Sequence, residues 1–298
     1  MKRALKYSVL FLLPLMILVA IGEWLIRTTP NDYSLKRQWI EQNHSAVNTL
    51  ILGNSHMQAA LNASLLGDSA FNMALSGQTL EYDWFLLSRY GSLCENLKTV
   101  VVPVDCINIY ALDMEDTNSY YRCSYYRVFF DYDKHNSPST YDFFFTHPEW
   151  FVREAARCAK NRLSNQDSIQ YKKRHQPQQH GWERVYLPTG EPYPTVGLEK
   201  NIGYLKSIAG YCRERGIRLI LISTPVWKTY IQAENAESLA QMERVVSNFA
   251  REQGVDYRNY MRDSRFDSKD FLDSHHLNFS SGIIKFSAIF KHDWLENR

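Results

Sequence analysis

The sequence predicts an α/β protein: a three-layer α/β/α sandwich around a mainly parallel five-stranded sheet, carried behind an N-terminal transmembrane helix and interrupted by an aromatic-rich insert. Three observations predict it. Beyond residue 34, short apolar runs alternate with longer amphipathic stretches in the strand-helix order of a doubly wound sheet. Two of these runs, Leu50–Leu52 and Leu219–Ile222, are unbroken and apolar, as in buried strands. With 298 residues and 45% hydrophobic content, the chain can form one large domain with a full core once a single span is set aside.

At the amino terminus, Lys2, Arg3 and Lys6 precede an apolar stretch from Tyr7 to Gly22 that continues past Glu23 through Ile26, close to the ~20 residues that cross a bilayer. Positive charge before the span places the amino terminus in the cytoplasm and everything after about residue 28 outside. An uncleaved anchor is the favoured reading. The competing one is a cleaved signal peptide, since Ala20 and Gly22 are small residues at a suitable spacing. Residues 1–27 are therefore read as a signal-anchor, 28–46 as a linker and 47–298 as the extracytoplasmic domain.

Within that domain, apolar runs predict strands at 47–53, 69–74 and 98–104. A helix over 79–91 carries Leu80, Trp84, Leu87 and Tyr90 at helical spacing, a core-facing stripe. A helix near 198–215 leads through Gly216 into a fourth buried strand at 217–223. Another helix, 233–253, precedes a short fifth strand at 255–259, and 280–294 closes the domain as a helix. No internal repeat or low-complexity segment is present.

Residues 108–196 form an insert between the third strand and the helix at 198. Its first half is aromatic, from Tyr120, Tyr121, Tyr125 and Tyr126 through Phe129, Phe130, Tyr132 and Tyr141 to Phe143, Phe144, Phe145, Trp150 and Phe151. Because it leaves the carboxyl end of a strand, it is expected to overhang the edge where open sheets bind ligands. Two readings stand: a lid, sugar-stacking or membrane-proximal wall, and a helical subdomain that buries its own core. The second half, Tyr171 to His180, is polar and basic. It reads as a solvated loop, with attraction for an acidic or phosphate-rich glycan as the alternative.

A net charge of +2 argues against an electrostatic nucleic-acid binder, which concentrates a basic face. Five cysteines, Cys94, Cys106, Cys123, Cys158 and Cys212, cannot all pair, so one disulfide and five free thiols are both open. His44, His135, His147, His175, His180 and His292 are scattered without metal-ligand spacing. With no His-x-x-x-His or Cys-x-x-Cys, no structural zinc is expected.

Two islands carry reactive side chains. The first run, Thr49-Leu50-Ile51-Leu52, breaks into Gly53-Asn54-Ser55-His56, a turn that sets a serine at the carboxyl end of a strand. Near the chain's end stands Asp273-Ser274-His275-His276-Leu277-Asn278. A serine hydroxyl is a weak nucleophile until a base takes its proton. His276 is the natural base, and Asp273, three residues earlier, can orient its imidazole. His275 is the other candidate base, disfavoured by the Asp-x-x-His register. His56 reads as a helix-capping or supporting residue rather than a proton carrier.

These blocks resemble the SGNH hydrolase family, over roughly residues 47 to 296 with a large divergent middle. In that family the serine of a Gly-Asp-Ser-like first block works with the Asp and His of an Asp-x-x-His last block. The resemblance implies that Gly77, within Asn72 to Gln78, donates an N–H to the oxyanion beside the N–H of Ser55. It also implies that Asn108 stands for the family's third-block asparagine. The chain departs from the pattern in having no Gly-x-Asn-Asp after the third strand, and in placing Asn54 where an aspartate is usual. Gly-x-Ser-His together with Asp-x-x-His-Leu-Asn is more similar to the membrane-anchored branch near the D-alanyl-lipoteichoic acid biosynthesis esterase and the polysaccharide O-acetylation proteins. That resemblance implies an extracytoplasmic, periplasmic or extracellular, serine esterase or O-acyltransferase acting on acyl groups of a cell-surface polysaccharide, without cofactor or metal. The implied partners are an acylated polysaccharide or acyl donor and a membrane-bound O-acyltransferase. The rival from another class is a non-catalytic glycan-binding or scaffold subunit of an envelope complex, which a fluorophosphonate would not label at Ser55.

Overall fold

The computed structural model describes residues 2–117, 119–132, 134, 143–163 and 190–296. The chain divides into two compact units, residues 39–113 with 170–298 and residues 1–38 with 114–169.

The larger unit is built on five parallel strands, β1 (Thr49–Ile51), β2 (Ala70–Asn72), β3 (Thr99–Pro103), β4 (Arg218–Ser223) and β5 (Asp256–Asn259), in the order β2-β1-β3-β4-β5. Each lies inside its expected run. Leu50, Ile51, Val100, Val101, Val102, Ile220, Leu221 and Ile222 are buried, as strands covered on both faces require. The chain winds outward from β1 to β2 and then returns to lay β3 on β1's other side. The carboxyl ends of β1 and β3 therefore flank the switch point of the sheet, where open α/β sheets form ligand crevices.

Helices cover this sheet. One face packs Ile51, Val101, Ile220 and Ile222 against Phe271, Leu277, Phe286 and Phe290, the last two from the closing helix Gly282–Lys291. The helix Ala236–Gln253 starts at Asn235, whose side chain accepts the Ser238 N–H at 2.9 Å, and stops at left-handed Gly254, φ 65°. The helix Leu80–Tyr90 departs from its expected stripe. Tyr82, Asp83 and Leu86 are buried with Leu80, Leu87 and Tyr90, whereas Trp84 is half-buried and meets Tyr211 edge-on at 6.0 Å. The second helix layer, Val196–Glu214, packs beside it, so more than one face is enclosed.

In the other unit, the helix Lys2–Thr28 contains a 19-residue stretch, Leu10–Thr28, with mean hydropathy 2.0, long and apolar enough to cross a membrane. Leu10, Phe11, Met16 and Leu18 on it are exposed. The segment read as a linker instead contains the helix Asp32–Asn43. Asn31 starts it, its side-chain oxygen accepting the N–H groups of Tyr33 and Ser34 at 3.0 Å each, and Asp32 in the first turn suits the helix dipole.

The aromatic half of the insert joins this unit through the helices Tyr121–Phe130, Phe143–Thr146 and Pro148–Leu163. The start of the chain supplies part of its core. Tyr33 stacks on Tyr125 at 4.7 Å between ring centroids and meets Tyr126 edge-on at 5.2 Å, and Gly22 lies so close to Phe151 that a Cβ would fall 2.4 Å from the ring. Tyr125, Tyr126, Phe129, Phe130, Phe143 and Phe151 are buried, while Tyr120 and Phe145 are exposed. The Tyr125 hydroxyl donates to Glu154 Oε1 at 2.6 Å. Tyr125 and Tyr126 are thus core residues rather than a surface wall. Tyr141 and the basic stretch Tyr171 to His180 lie outside the described residues. All five cysteines are buried, and none of them forms a disulfide.

Removing a fully buried ring leaves a cavity that the neighbours fill only in part. Tyr126→Ala is expected to cost about 3–5 kcal/mol and to lower the thermal midpoint of the purified protein. Tyr120→Ala should leave that midpoint nearly unchanged. Equal shifts would contradict this placement of the rings.

Candidate active site

Ser55 leaves β1 through a turn that only glycine can make. Gly53 has φ +118°, and a Cβ there would sit 2.2 Å from the Pro103 ring of β3. The turn opens a short helix, Ser55–Gln58, capped by Asn54, whose side-chain oxygen accepts the His56 N–H at 2.9 Å. Capping therefore falls to Asn54 rather than His56.

The opposite side of the site is the segment 270–278. Its ends are drawn together by a bridge between Phe271 and Leu277 and by the Leu272 N–H donating to the His276 carbonyl at 2.8 Å. Leu277 is buried in the core. Asn278 anchors the exit, its side-chain oxygen accepting the N–H groups of Ser281 at 2.8 Å and Gly282 at 3.1 Å at the head of the closing helix. Leu277 and Asn278 fix the loop on which Asp273 and His276 stand, which gives the end of the Asp-x-x-His-Leu-Asn motif a structural task.

Between these segments the structure brings three predicted residues together. His276 Nε2 lies 2.9 Å from Ser55 Oγ, and His276 Nδ1 lies 2.9 Å from Asp273 Oδ2. Asp273 Oδ1 also accepts the N–H groups of His275 at 3.0 Å and His276 at 2.8 Å. Burial pushes the Asp273 carboxyl up, but its hydrogen bond and charge interaction with His276, together with the backbone N–H of His275, outweigh burial and hold it well below the usual carboxylate range. An ionised Asp273 fixes the imidazole with Nδ1 as donor and Nε2 as acceptor for a serine proton.

His275 does not reach the serine. Its Nδ1 faces Ser274 Oγ at 3.3 Å, and burial, then the neighbouring His276 and His56, push its pKa down to about 2. It is a neutral imidazole.

The two residues assigned to the oxyanion differ in placement. Gly77 occupies a left-handed turn, φ +73°. Neither its N–H nor that of Ser55 has a hydrogen-bond partner among the described residues, so both remain available as donors. The Asn108 amide is instead enclosed: Asn54 Nδ2 is 3.2 Å away, and with its own nitrogen turned toward Asp105 it donates to Oδ1 at 2.6 Å.

Two carboxylates that sequence reasoning gave no role support this site. Asp105, just after β3, caps the short helix Cys106–Ile109 and takes His56 Nδ1 at 2.9 Å on its other oxygen, with both side chains buried. Asp83, wholly buried, accepts the Gly53 N–H at 2.7 Å and Gln78 Nε2 at 2.6 Å. It thereby ties the turn before Ser55 to the residue after Gly77. An acidic residue among the apolar positions of Leu80–Tyr90, as Asp83 and Glu81 both are, was the available signal.

No protein-family model matches the sequence, and no curated protein matches it. Solved structures resemble it in outline. A chain described as a lipolytic protein of the G-D-S-L family from Desulfitobacterium hafniense has TM-score 0.43 and 10% identity, covering 83% of this chain and 98% of that one. One described as an acylhydrolase from Bacteroides fragilis has TM-score 0.42 and 10% identity, covering 86% and 93%. A GDSL-like lipase from Bacteroides thetaiotaomicron has TM-score 0.42 and 9% identity, covering 87% and 97%. Likeness at this level carries no chemistry from one protein to another.

Burial pushes the Asp83 carboxyl up to about 7, against its hydrogen bonds from Gln78 and Gly53. Its ordinary value is 3.8, so the unfolded chain gives up this proton at lower pH than the folded one. The resulting stability is fully present below about pH 4 and is lost as pH rises toward 7. Asp83→Asn keeps an acceptor for Gly53 and is expected to flatten that part of the pH–stability profile, measured by urea unfolding between pH 4 and 8. Asp83→Ala strands a buried N–H and should cost about 1–3 kcal/mol. An Asn variant with the wild-type pH slope would contradict the assignment.

Proposed function

We propose that this protein is a serine-dependent acyl-ester hydrolase or O-acyltransferase of SGNH type, held in the membrane by its N-terminal helix and acting outside the cytoplasm on acyl groups of a cell-surface polysaccharide. The observation that carries the chemistry is the continuous hydrogen-bond relay from Ser55 Oγ through His276 to Asp273, 2.9 Å at each link. Ser55 Oγ attacks the acyl carbonyl carbon as its proton passes to His276 Nε2. The carbonyl oxygen becomes an oxyanion that the N–H groups of Ser55 and Gly77 stabilise. The imidazolium returns its proton to the departing alkoxide, leaving the acyl group on Ser55. Water then releases a carboxylic acid, or a sugar hydroxyl accepts the acyl group, with His276 again removing the proton. The relay serves both second steps, so it supports hydrolase and transferase equally.

The membrane placement is supported by the exposed apolar surface of the first helix and by Lys2, Arg3 and Lys6 ahead of it. The polysaccharide substrate and a membrane-bound O-acyltransferase partner rest on the resemblance of the Gly-x-Ser-His and Asp-x-x-His-Leu-Asn blocks to the membrane-anchored branch.

Ser55→Ala and His276→Ala should each lower hydrolysis of an activated acetyl ester about a thousandfold or more, while His275→Ala keeps most of it. EDTA should not lower the wild-type rate. Full turnover by Ser55→Ala would end the serine mechanism.

Topology has its own check. A reporter that matures only outside the cytoplasm, fused after Arg298, should be active, and the mature chain should keep its first residues. An intact mass beginning at Glu23 would identify a cleaved signal peptide instead.

A further inference from the structure

We propose that His56, His275 and His276 form a zinc site and that zinc bound there switches the serine off. One ring nitrogen from each of the three lies within 4.8 Å of the others. The rings crowd together, with centroids 5.0 Å apart for His56 and His275, 5.2 Å for His56 and His276, and 4.1 Å for His275 and His276. The relay runs through His276 alone, so His56 and His275 carry no proton in acyl transfer.

The surroundings suit a metal in three ways. First, His56 and His276 each present Nδ1 to a carboxylate, Asp105 Oδ2 and Asp273 Oδ2, both at 2.9 Å. This carboxylate–histidine arrangement fixes the tautomer and leaves Nε2 as the metal donor. Second, His275 is buried against both other rings, which keeps its imidazole beside theirs. Third, the two carboxylates offset part of the charge of a dication in a largely buried place. Three imidazoles with a fourth position open to water or the Ser55 hydroxyl are a zinc donor set. Zn–N bonds of ~2.0–2.1 Å in a tetrahedron bring the nitrogens to roughly 3.4 Å from one another, so the rings must draw inward on binding.

The inhibitory half of the proposal rests on the serine reading above. His276 Nε2, the atom that would coordinate zinc, is the atom that accepts from Ser55 Oγ at 2.9 Å. A lone pair given to zinc cannot take the serine proton. Binding forms three N–Zn bonds and breaks the His276–Ser55 hydrogen bond. Both Nδ1 protons stay on their rings, hydrogen-bonded to the carboxylates, water leaves the zinc as the imidazoles bind, and no electron is transferred.

Calorimetric titration of the full chain in detergent with zinc chloride, beside ester hydrolysis over the same zinc range, tests this. The expected result is one zinc per chain and a loss of at least tenfold in rate that EDTA reverses. Ser55→Ala should still bind one zinc. Asp105→Asn should bind it about 10- to 100-fold more weakly, and His275→Gln should weaken binding and inhibition in parallel, each rate compared with that variant's own zinc-free value. Absence of stoichiometric zinc uptake by the wild type and Ser55→Ala would overturn the site, as would unchanged affinity in both Asp105→Asn and His275→Gln. Hydrolysis persisting in Ser55→Ala would instead sink the serine reading and leave zinc stoichiometry to decide this one.

Discussion

One hydrogen bond, from Ser55 Oγ to His276 Nε2, joins side chains 221 positions apart in the chain. Nothing local can hold it. Its donor is aimed by a left-handed glycine turn after β1, and its acceptor by a loop whose Leu277 and Asn278 are sunk into the core and the closing helix. A hydroxyl-imidazole contact is short-ranged, so a displacement of about 1 Å on either side would end it. The parallel sheet supplies the stiffness, since its buried strands fix the ends from which both segments depart.

Three aspartates, Asp83 and Asp105 buried and Asp273 partly so, divide the electrostatic work around this contact. Asp273 is held ionised by His276 and two backbone N–H groups, which fixes the direction in which the imidazole can accept a proton. Asp105 binds both a helix start and His56, locking the residue beside the serine. Asp83 has no charged partner; burial dominates and lifts its pKa toward neutrality. The same residue type therefore serves as an orienting anion, as a cap and as a near-neutral acceptor, and the difference lies in what each oxygen meets.

Much of this was readable in the sequence. The central strands β1, β3 and β4 were visible because doubly covered strands are largely apolar runs, the half-buried β2 and β5 were placed by the alternation of strands and helices, and the Asp-x-x-His register named the histidine that reaches Ser55 because it is a local spacing. What escaped was non-local. Asp83 and Gly53 are thirty positions apart, and His56 meets Asp105 across β1 and β3, a pairing no spacing reveals. Asn108 was given an oxyanion role on family resemblance, and its amide is enclosed between Asn54 and Asp105. The aromatic insert looked like an addition to the catalytic domain, yet its rings close over Tyr33 and Gly22, because large apolar rings pack wherever apolar partners are within reach. The helix at Asp32–Asn43 was missed because its composition is polar and its signal is a single capping asparagine.

The central claim, that Ser55 is a nucleophile activated by His276, is tested most directly by reaction with a fluorophosphonate followed by peptide mass mapping. The expected result is a single adduct on Ser55 in the wild type, strongly reduced in His276→Ala and absent in Ser55→Ala. An unlabelled wild type, or an adduct that forms equally well without His276, would contradict it.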